Sequence, residues 1–196
     1  MRDRLSDVPF RLLGVVADPN QAADLAGHAF AHYAASGTDV TLVCAGGREW
    51  RGGDQLPAVR RLGVRDLVLL DYDPRELTAV VLEDVFADVI AGVRPHVVVA
   101  DGVQPAIREA IASAFTRVRR AAGGSAALPA KLYYRVPGSS PLVTVTTAIA
   151  IPGDSPELFV RAFPNPWVTG LLERDLFAGV PDETQARSGL EQQLAG

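Results

Sequence analysis

Short apolar runs alternate with Ala-rich segments along the first 122 residues of the chain. The apolar runs lie at residues 10–17, 40–45, 67–70 and 97–100. The segments between and after them, at 19–36, 77–93 and 105–122, have helical composition. Strands that alternate with helices over such short connections predict an α/β fold, in which a Rossmann-like, mainly parallel sheet is covered by helices on both faces.

The segment at 77–93 also carries a helical hydrophobic pattern. Its apolar residues include Val81, Val85, Val89 and Ile90, near the spacing of one helix face. This spacing supports the prediction of a helix over this segment.

The last third of the chain is richer in β-branched and aromatic residues. Residues 131–134, 142–151 and 157–163 are predicted as strands that extend one edge of the sheet. We expect residues 1–180 to form a single domain and the polar residues 181–196 to form a frayed tail.

Charge and cysteine content limit the partners and the location of the protein. Its 196 residues include 19 Lys and Arg against 23 Asp and Glu, so the chain lacks the basic surface that nucleic acid requires. Cys44 is the only cysteine, which excludes an intrachain disulfide and fits a reducing compartment. The apolar run at 9–16 is too short for a signal peptide or a membrane span. We therefore expect a cytoplasmic protein that binds neither nucleic acid nor membrane.

The ends of the predicted strands are the places to look for a ligand site, because open α/β sheets bind ligands beyond the carboxyl ends of their strands. The residues at these ends are Asp18, residues 46–49, residues 71–73 and Asp101.

Several segments occur in the order known from one family. Residues 17–23 read A-D-P-N-Q-A-A and lead without a gap to V-T-L-V-C-A-G-G-R-E at 40–49, while L-G-V, R-P-H-V-V-V and K-L-Y-Y follow at 62–64, 94–99 and 131–134. E-L-F and D-L-F-A-G stand near the end, at 157–159 and 175–179. This order resembles the LmbE-like family, also called PIG-L, of zinc-dependent de-N-acetylases and amidases, whose first two motifs are A-H-P-D-D-E-A and V-T-L-V-C-A-T-R-G-E.

The resemblance implies a zinc site and also shows that its residues are replaced. In the family, the His and the second Asp of the first motif bind zinc, and the first Asp is the general base. The matching positions here are Asp18, Gln21 and Asn20. The family's later G-H-P-D-H, which supplies the remaining histidine ligand, matches residues 103–107, where only Pro105 is kept. Because an amide is not basic at neutral pH, Asn20 cannot act as the base, and we expect neither a bound metal nor another cofactor.

Polar side chains nevertheless remain at this edge of the predicted sheet. Asp, Asn and Gln side chains are costly to bury without partners, so we expect them to line an open pocket for a small polar molecule. The predicted pocket residues are Asp18, Asn20, Gln21, Arg48, Glu49, Asp101 and Gln104. The sequence leaves homo-oligomerisation open.

The acidic residues at the strand ends have two interpretations. Asp18, Asp71, Asp73 and Asp101 could together bind a hard cation such as magnesium or calcium. Each could equally cap a helix or a turn. We favour caps for Asp71 and Asp73 and leave both interpretations open for Asp18 and Asp101.

The remaining candidates for chemistry are interpreted as structural. His28 and His32 share one helix face, but the pattern lacks the Glu of a metalloprotease helix, so we interpret them as surface or packing residues. His96 opens a predicted strand at the end of the sheet opposite the expected site. Cys44 lies within a predicted buried strand and is interpreted as a core side chain.

Two functional hypotheses follow. The first is a divergent LmbE-like protein that has lost zinc-dependent hydrolysis and serves as a small-molecule-binding or regulatory pseudoenzyme. The second is an active amide or N-acetyl hydrolase of an amino-sugar-type substrate that uses a remodelled or non-zinc site.

Overall fold

The computed structural model of the chain describes seven segments, 9–46, 56–73, 78–123, 128–136, 148–151, 157–164 and 175–180, with only the backbone for residues 56 and 148–151. The predicted tail at 181–196 lies outside the described residues. Within the described segments, no helix is both long enough and apolar enough to cross a membrane.

The described elements alternate as the sequence predicts. The strands are β1 Arg11–Val16, β2 Asp39–Gly46, β3 Asp66–Tyr72, β4 Val97–Asp101, β5 Lys131–Val136, β6 Ala148–Ile151 and β7 Glu157–Phe163. The helices are α1 Ala22–Ala35, α2 Leu56–Arg61, α3 Ala79–Val93 and α4 Pro105–Ala122, and a short 3-10 turn over Pro19–Gln21 precedes α1. Of the helices, only α2 is not predicted from the sequence, because six residues carry too little periodicity to be distinguished from a loop.

The strands form one sheet in the order β3-β2-β1-β4-β5-β7-β6. The first five strands in this order pair in parallel, while β7 pairs antiparallel with both β5 and β6. The prediction of a mainly parallel sheet with additional edge strands from the end of the chain is therefore confirmed.

Alternate residues of each parallel strand face two separate cores. On one face, Leu12, Leu42 and Val99 pack with side chains of α1 and α2. On the other face, Leu13 and Val98 pack with side chains of α3 and α4. Because successive side chains of a strand point to opposite faces, a sheet buried on both sides has continuous apolar runs. The predicted helices on both faces are confirmed.

Helix α3 buries one face against the core. Leu82, Phe86 and Ile90 are fully buried, whereas Val81 is exposed. Of the four apolar residues whose spacing indicated this helix, only Ile90 is buried, while the helix itself is confirmed. An almost uniformly apolar helix offers several competing stripes, and packing against α4 selects among them.

Helix α1 is interrupted at Ala26, where the backbone leaves the helical region (φ −161°, ψ 36°). The interruption leaves backbone N–H groups of the next turn without helical acceptors. The buried carboxylate of Glu157 on β7 accepts hydrogen bonds from the N–H groups of His28 (2.8 Å) and Ala29 (2.9 Å). A side chain distant in sequence thus caps the second half of α1 and ties the helix to β7.

The Glu157 cap predicts a specific loss of stability. Glu157→Gln replaces one acceptor oxygen with a donor NH₂ group that faces a backbone N–H, so the free energy of unfolding should fall by about 2–3 kcal/mol. Urea denaturation measures this change. The matched variant Glu109→Gln, at an exposed position of α4, should change stability by less than about 0.5 kcal/mol. Equal effects of the two substitutions would contradict the assignment of Glu157 as a helix cap.

Candidate ligand-binding site

The sheet contains a point at which the strand order reverses. From β1, the chain runs outward to β2 and β3 on one side, and β4 and β5 lie on the other side. The connections that follow β1 and β4 therefore diverge over opposite faces, and a crevice opens between them at the carboxyl ends of the strands.

A cavity of about 380 Å³ lies at this crevice. Its described walls come from the ends of β1, β4 and β5 and from the starts of α1 and α4. The lining residues are Val16, Gln21, Asp24, Leu25, Asp101, Val103, Gln104, Arg135 and Val136. Its size lies within the usual range of small-molecule sites, and a few polar groups among apolar walls are typical of them.

The turn between β1 and α1 is a capping box. The Asp18 carboxylate accepts a hydrogen bond from the backbone N–H of Asn20 (2.7 Å). In return, the side-chain oxygen of Gln21 accepts one from the backbone N–H of Asp18 (3.2 Å). Both side-chain oxygens are therefore occupied by backbone donors of the same turn. Gln21 also lines the cavity, and its side-chain NH₂ group takes no part in the capping box.

The end of β4 supplies the opposite wall. Asp101 accepts a hydrogen bond from the backbone N–H of Val103 through Oδ1 (2.8 Å), and Gln104 is the N-cap residue of α4 without a side-chain cap bond. Between them, Gly102 donates its N–H to the carbonyl of Arg135 on β5 (3.1 Å). A Cβ atom on Gly102 would lie only 2.7 Å from that carbonyl oxygen, so only glycine permits this close approach of the two strand ends.

Arg135 is a site residue that sequence reasoning missed. It lies directly opposite Asp101 in the register of β4 and β5 and lines the cavity. The predicted strand at 131–134 stopped one residue short of it. The available signal was the cationic residue immediately after that predicted strand, at the edge of the sheet where Asp101 was expected.

The structure brings together three of the seven predicted pocket residues. Gln21, Asp101 and Gln104 line the cavity. Asp18 and Asn20 lie in the adjacent turn, engaged in the capping box, and are not among the described lining residues. Arg48 and Glu49 lie outside the described residues.

Neither Asp71 nor Asp73 is the N-cap residue of α3. Asp71 lies within β3 in the left-handed region (φ 64°), beside a register shift in the pairing with β2. The N-cap of α3 is Thr78, whose hydroxyl accepts from the backbone N–H of Val81 (3.4 Å). Asp71 and Asp73 therefore do not cap α3, and because residues 74–77 lie outside the described residues, a turn-capping role for the two acids stays a prediction. In contrast, Asp18 and Asp101 both bind the backbone N–H two residues ahead.

The histidines and the cysteine have the structural surroundings that were predicted. His96 is buried, and its Nδ1 accepts a hydrogen bond from the backbone N–H of Arg11 (3.1 Å). His28 and His32 lie on the exposed side of α1. Cys44 is fully buried within β2, and burial, together with the negative charge of Asp18, raises the pKa of its thiol to about 12.

The positions that correspond to the zinc ligands of LmbE-like enzymes do not suit zinc here. Catalytic zinc sites use about three protein ligands drawn from His, Cys, Asp and Glu. Gln21 offers an amide, and Ile107, at the position of one family histidine, is completely buried in the core. Within the described segments, no group of three or more His, Cys, Asp or Glu side chains could hold a metal ion.

The fold is similar to those of several solved structures. The conserved protein TT1542 from Thermus thermophilus matches with a TM-score of 0.55 and 22% identity over 66% of this chain and 67% of that chain. Teicoplanin deacetylase Orf2 matches with a TM-score of 0.49 and 15% identity over 64% and 66%. GalB, the 4-carboxy-2-hydroxymuconate hydratase from Pseudomonas putida, matches with a TM-score of 0.47 and 21% identity over 65% and 66%. No protein-family profile and no curated protein matches the sequence.

The strand order, the two helical layers and the order of the motifs define a protein with the LmbE-like α/β fold. The likeness to TT1542 confirms the predicted resemblance at the level of the fold. The matches cover about two thirds of each of these solved structures. This similarity shows a shared fold and does not show a shared activity.

The close approach at Gly102 predicts a sharp contrast between two glycine substitutions. Gly102→Ala should lower the free energy of unfolding by about 1–3 kcal/mol, because the methyl group must push the end of β4 away from β5. Gly92→Ala, at an exposed position of α3 with open space where the added methyl group would lie, should raise it by about 0.5–1 kcal/mol. Thermal denaturation of both variants tests the difference, and a stable Gly102→Ala protein would refute the close contact.

Cys44 predicts a conformation-dependent thiol reactivity. At about pH 8 the native thiol stays protonated because its pKa is raised to about 12, whereas in the unfolded chain a pKa near 8.5 leaves a substantial thiolate fraction. Ellman's reagent should therefore react slowly with the native protein and rapidly in denaturant. Rapid reaction of the native protein would show that Cys44 is accessible.

Proposed function

We propose that the protein binds a small polar molecule in the cavity at the ends of β1, β4 and β5 and does not carry out zinc-dependent hydrolysis. One observation carries the proposal: the positions that would hold the ion in LmbE-like enzymes form a closed capping box, while the neighbouring cavity retains polar groups. The scaffold thus keeps the place of the site and replaces its reactive groups.

The cavity wall supports the binding part of the proposal. Gln21 and Gln104 offer amide groups, Asp24 and Asp101 offer carboxylates, and Arg135 offers a guanidinium. The apolar remainder of the wall comes from Val16, Leu25, Val103 and Val136. A few polar groups that converge on an apolar cavity orient a ligand and provide specificity.

The chemistry of the turn supports the loss of hydrolysis. Hydrolysis of an amide by a zinc enzyme needs a metal-bound water and a base that accepts its proton. Asn20 stands at the position of the base, and its amide cannot accept a proton at neutral pH. Joint binding of a hard cation by Asp18 and Asp101 gains no support from the geometry, because Asp101 lines the cavity while Asp18 is not among its described lining residues.

The proposal predicts the outcome of a combined metal and activity measurement. Protein purified without chelator and then incubated with zinc should retain less than one equivalent after gel filtration, measured by plasma mass spectrometry. The same sample should release no acetate from N-acetylated amino sugars. Stoichiometric zinc together with acetate release would refute the proposal and favour the active-hydrolase hypothesis.

The binding part is tested with a small-molecule thermal-shift screen, since a ligand of the folded state raises the midpoint. Val103→Trp places a bulky side chain at the exposed rim of the cavity and should abolish the shift produced by any true cavity ligand. Val80→Trp is the matched control, since Val80 is also an exposed valine but lies on α3 and does not line the cavity. Ligands whose shifts survive Val103→Trp would count against this cavity as the binding site.

A further inference from the structure

We propose that the ligand of this cavity is a small zwitterion, an amino carboxylate whose carboxylate binds Arg135 and whose ammonium group binds between Asp24 and Asp101. This inference rests on the proposed function, since it names the ligand class of the same cavity.

Arg135 provides the site for the carboxylate. One of its terminal nitrogens, Nη1, donates a hydrogen bond to the backbone carbonyl of Val136, which fixes the guanidinium along the end of β5. Its Nε is buried and has no hydrogen-bond partner among the described residues. A buried donor of this kind requires an acceptor. Arg135 lines the cavity, and a turn of its side chain that brings the Nε and Nη2 edge to a ligand carboxylate would satisfy the unpaired donor through two parallel hydrogen bonds.

The nearest acid does not neutralise Arg135. Asp101 lies opposite Arg135 in the strand register, yet the two side chains form no ion pair within the described part of the chain. Asp101 instead binds the N–H of Val103 through Oδ1, which leaves Oδ2 for a ligand. The guanidinium and the carboxylate are therefore two separate recognition groups on adjacent strands.

Asp24 places a second carboxylate at the cavity from the first turn of α1. A cationic group bound between Asp24 and Asp101 would interact with both acids and relieve their mutual repulsion. The amide groups of Gln21 and Gln104 can donate to the ligand carboxylate or accept from its ammonium group.

The charge of the wall favours a zwitterion over other anions. The described lining residues carry one positive and two negative groups. A phosphate dianion would be attracted by Arg135 but repelled by two carboxylates, and a plain carboxylate would leave the acids unpaired. An amino carboxylate matches both signs at once, and the apolar side chains of Leu25 and Val136 can contact its carbon skeleton.

The experiment is isothermal titration calorimetry of the full-length protein with the common amino acids. For the best binder, the matched probes are its N-acetyl derivative, which lacks the cation, its carboxamide, which lacks the anion, and inorganic phosphate. We expect at least one amino acid to bind with a Kd below about 1 mM, and both derivatives to bind at least about tenfold more weakly.

Variants assign the two ends of the ligand. Arg135→Gln should weaken binding of the amino acid by about tenfold or more, whereas Arg61→Gln, at an exposed position of α2, should leave it unchanged. Asp101→Asn keeps the acceptor for the Val103 N–H. It should weaken binding of the amino acid much more than binding of its N-acetyl derivative. Circular dichroism confirms that each variant is folded, and Asp101→Asn tests the assignment independently should Arg135→Gln fail to fold.

Three results would overturn the inference: no amino acid binds at millimolar concentration, the N-acetyl derivative binds as tightly as the amino acid, or folded Arg135→Gln binds normally. Failure of this inference can be distinguished from failure of the proposed function. If a neutral or purely cationic ligand binds the original protein and no longer binds the Val103→Trp variant, the proposed function still holds. Zinc-dependent acetate release would contradict the proposed function itself.

Discussion

Residues 18–21 form a closed hydrogen-bonded turn between the first strand and the first helix, and the account of this protein depends on that turn. Asp18 and Gln21 each direct a side-chain oxygen to a backbone N–H of the turn. These bonds satisfy donors at the start of the helix that would otherwise have no acceptor. Asp18 and Gln21 align with two positions that bind zinc in the LmbE-like motif, and here their side chains serve the local structure of the turn.

The cavity depends on a second constraint, the reversal of strand order beside β1. The reversal separates the connections that follow β1 and β4, and the close contact of Gly102 with the Arg135 carbonyl brings β5 to the same crevice. Glu157 on β7 caps the interrupted helix α1, whose first turn carries Asp24 into the cavity wall. The positions of Asp24 and Arg135 in the cavity wall thus depend on the backbone contacts of Glu157 and Gly102.

The sequence predicts the architecture better than it predicts the site. Fully buried parallel strands leave long apolar runs such as 97–100, and Pro105 marks the start of α4, so these elements can be located from local pattern alone. Local pattern does not determine which face of α3 is buried, because packing selects among several apolar stripes. Arg135 was missed because its role depends on the register between β4 and β5, which the local sequence does not encode. The left-handed backbone of Asp71 inside β3 was not predicted either, because the sequence around it does not distinguish a strand irregularity from a turn.

The most direct test of the central claim is a crystal structure of the protein grown with excess zinc, with anomalous diffraction recorded on both sides of the zinc absorption edge. The account predicts no anomalous peak beside Asp18, Gln21 or Gln104 and an intact capping box in the turn. A zinc ion coordinated by this turn, with the Asp18 and Gln21 side chains rotated away from their backbone donors, would contradict it.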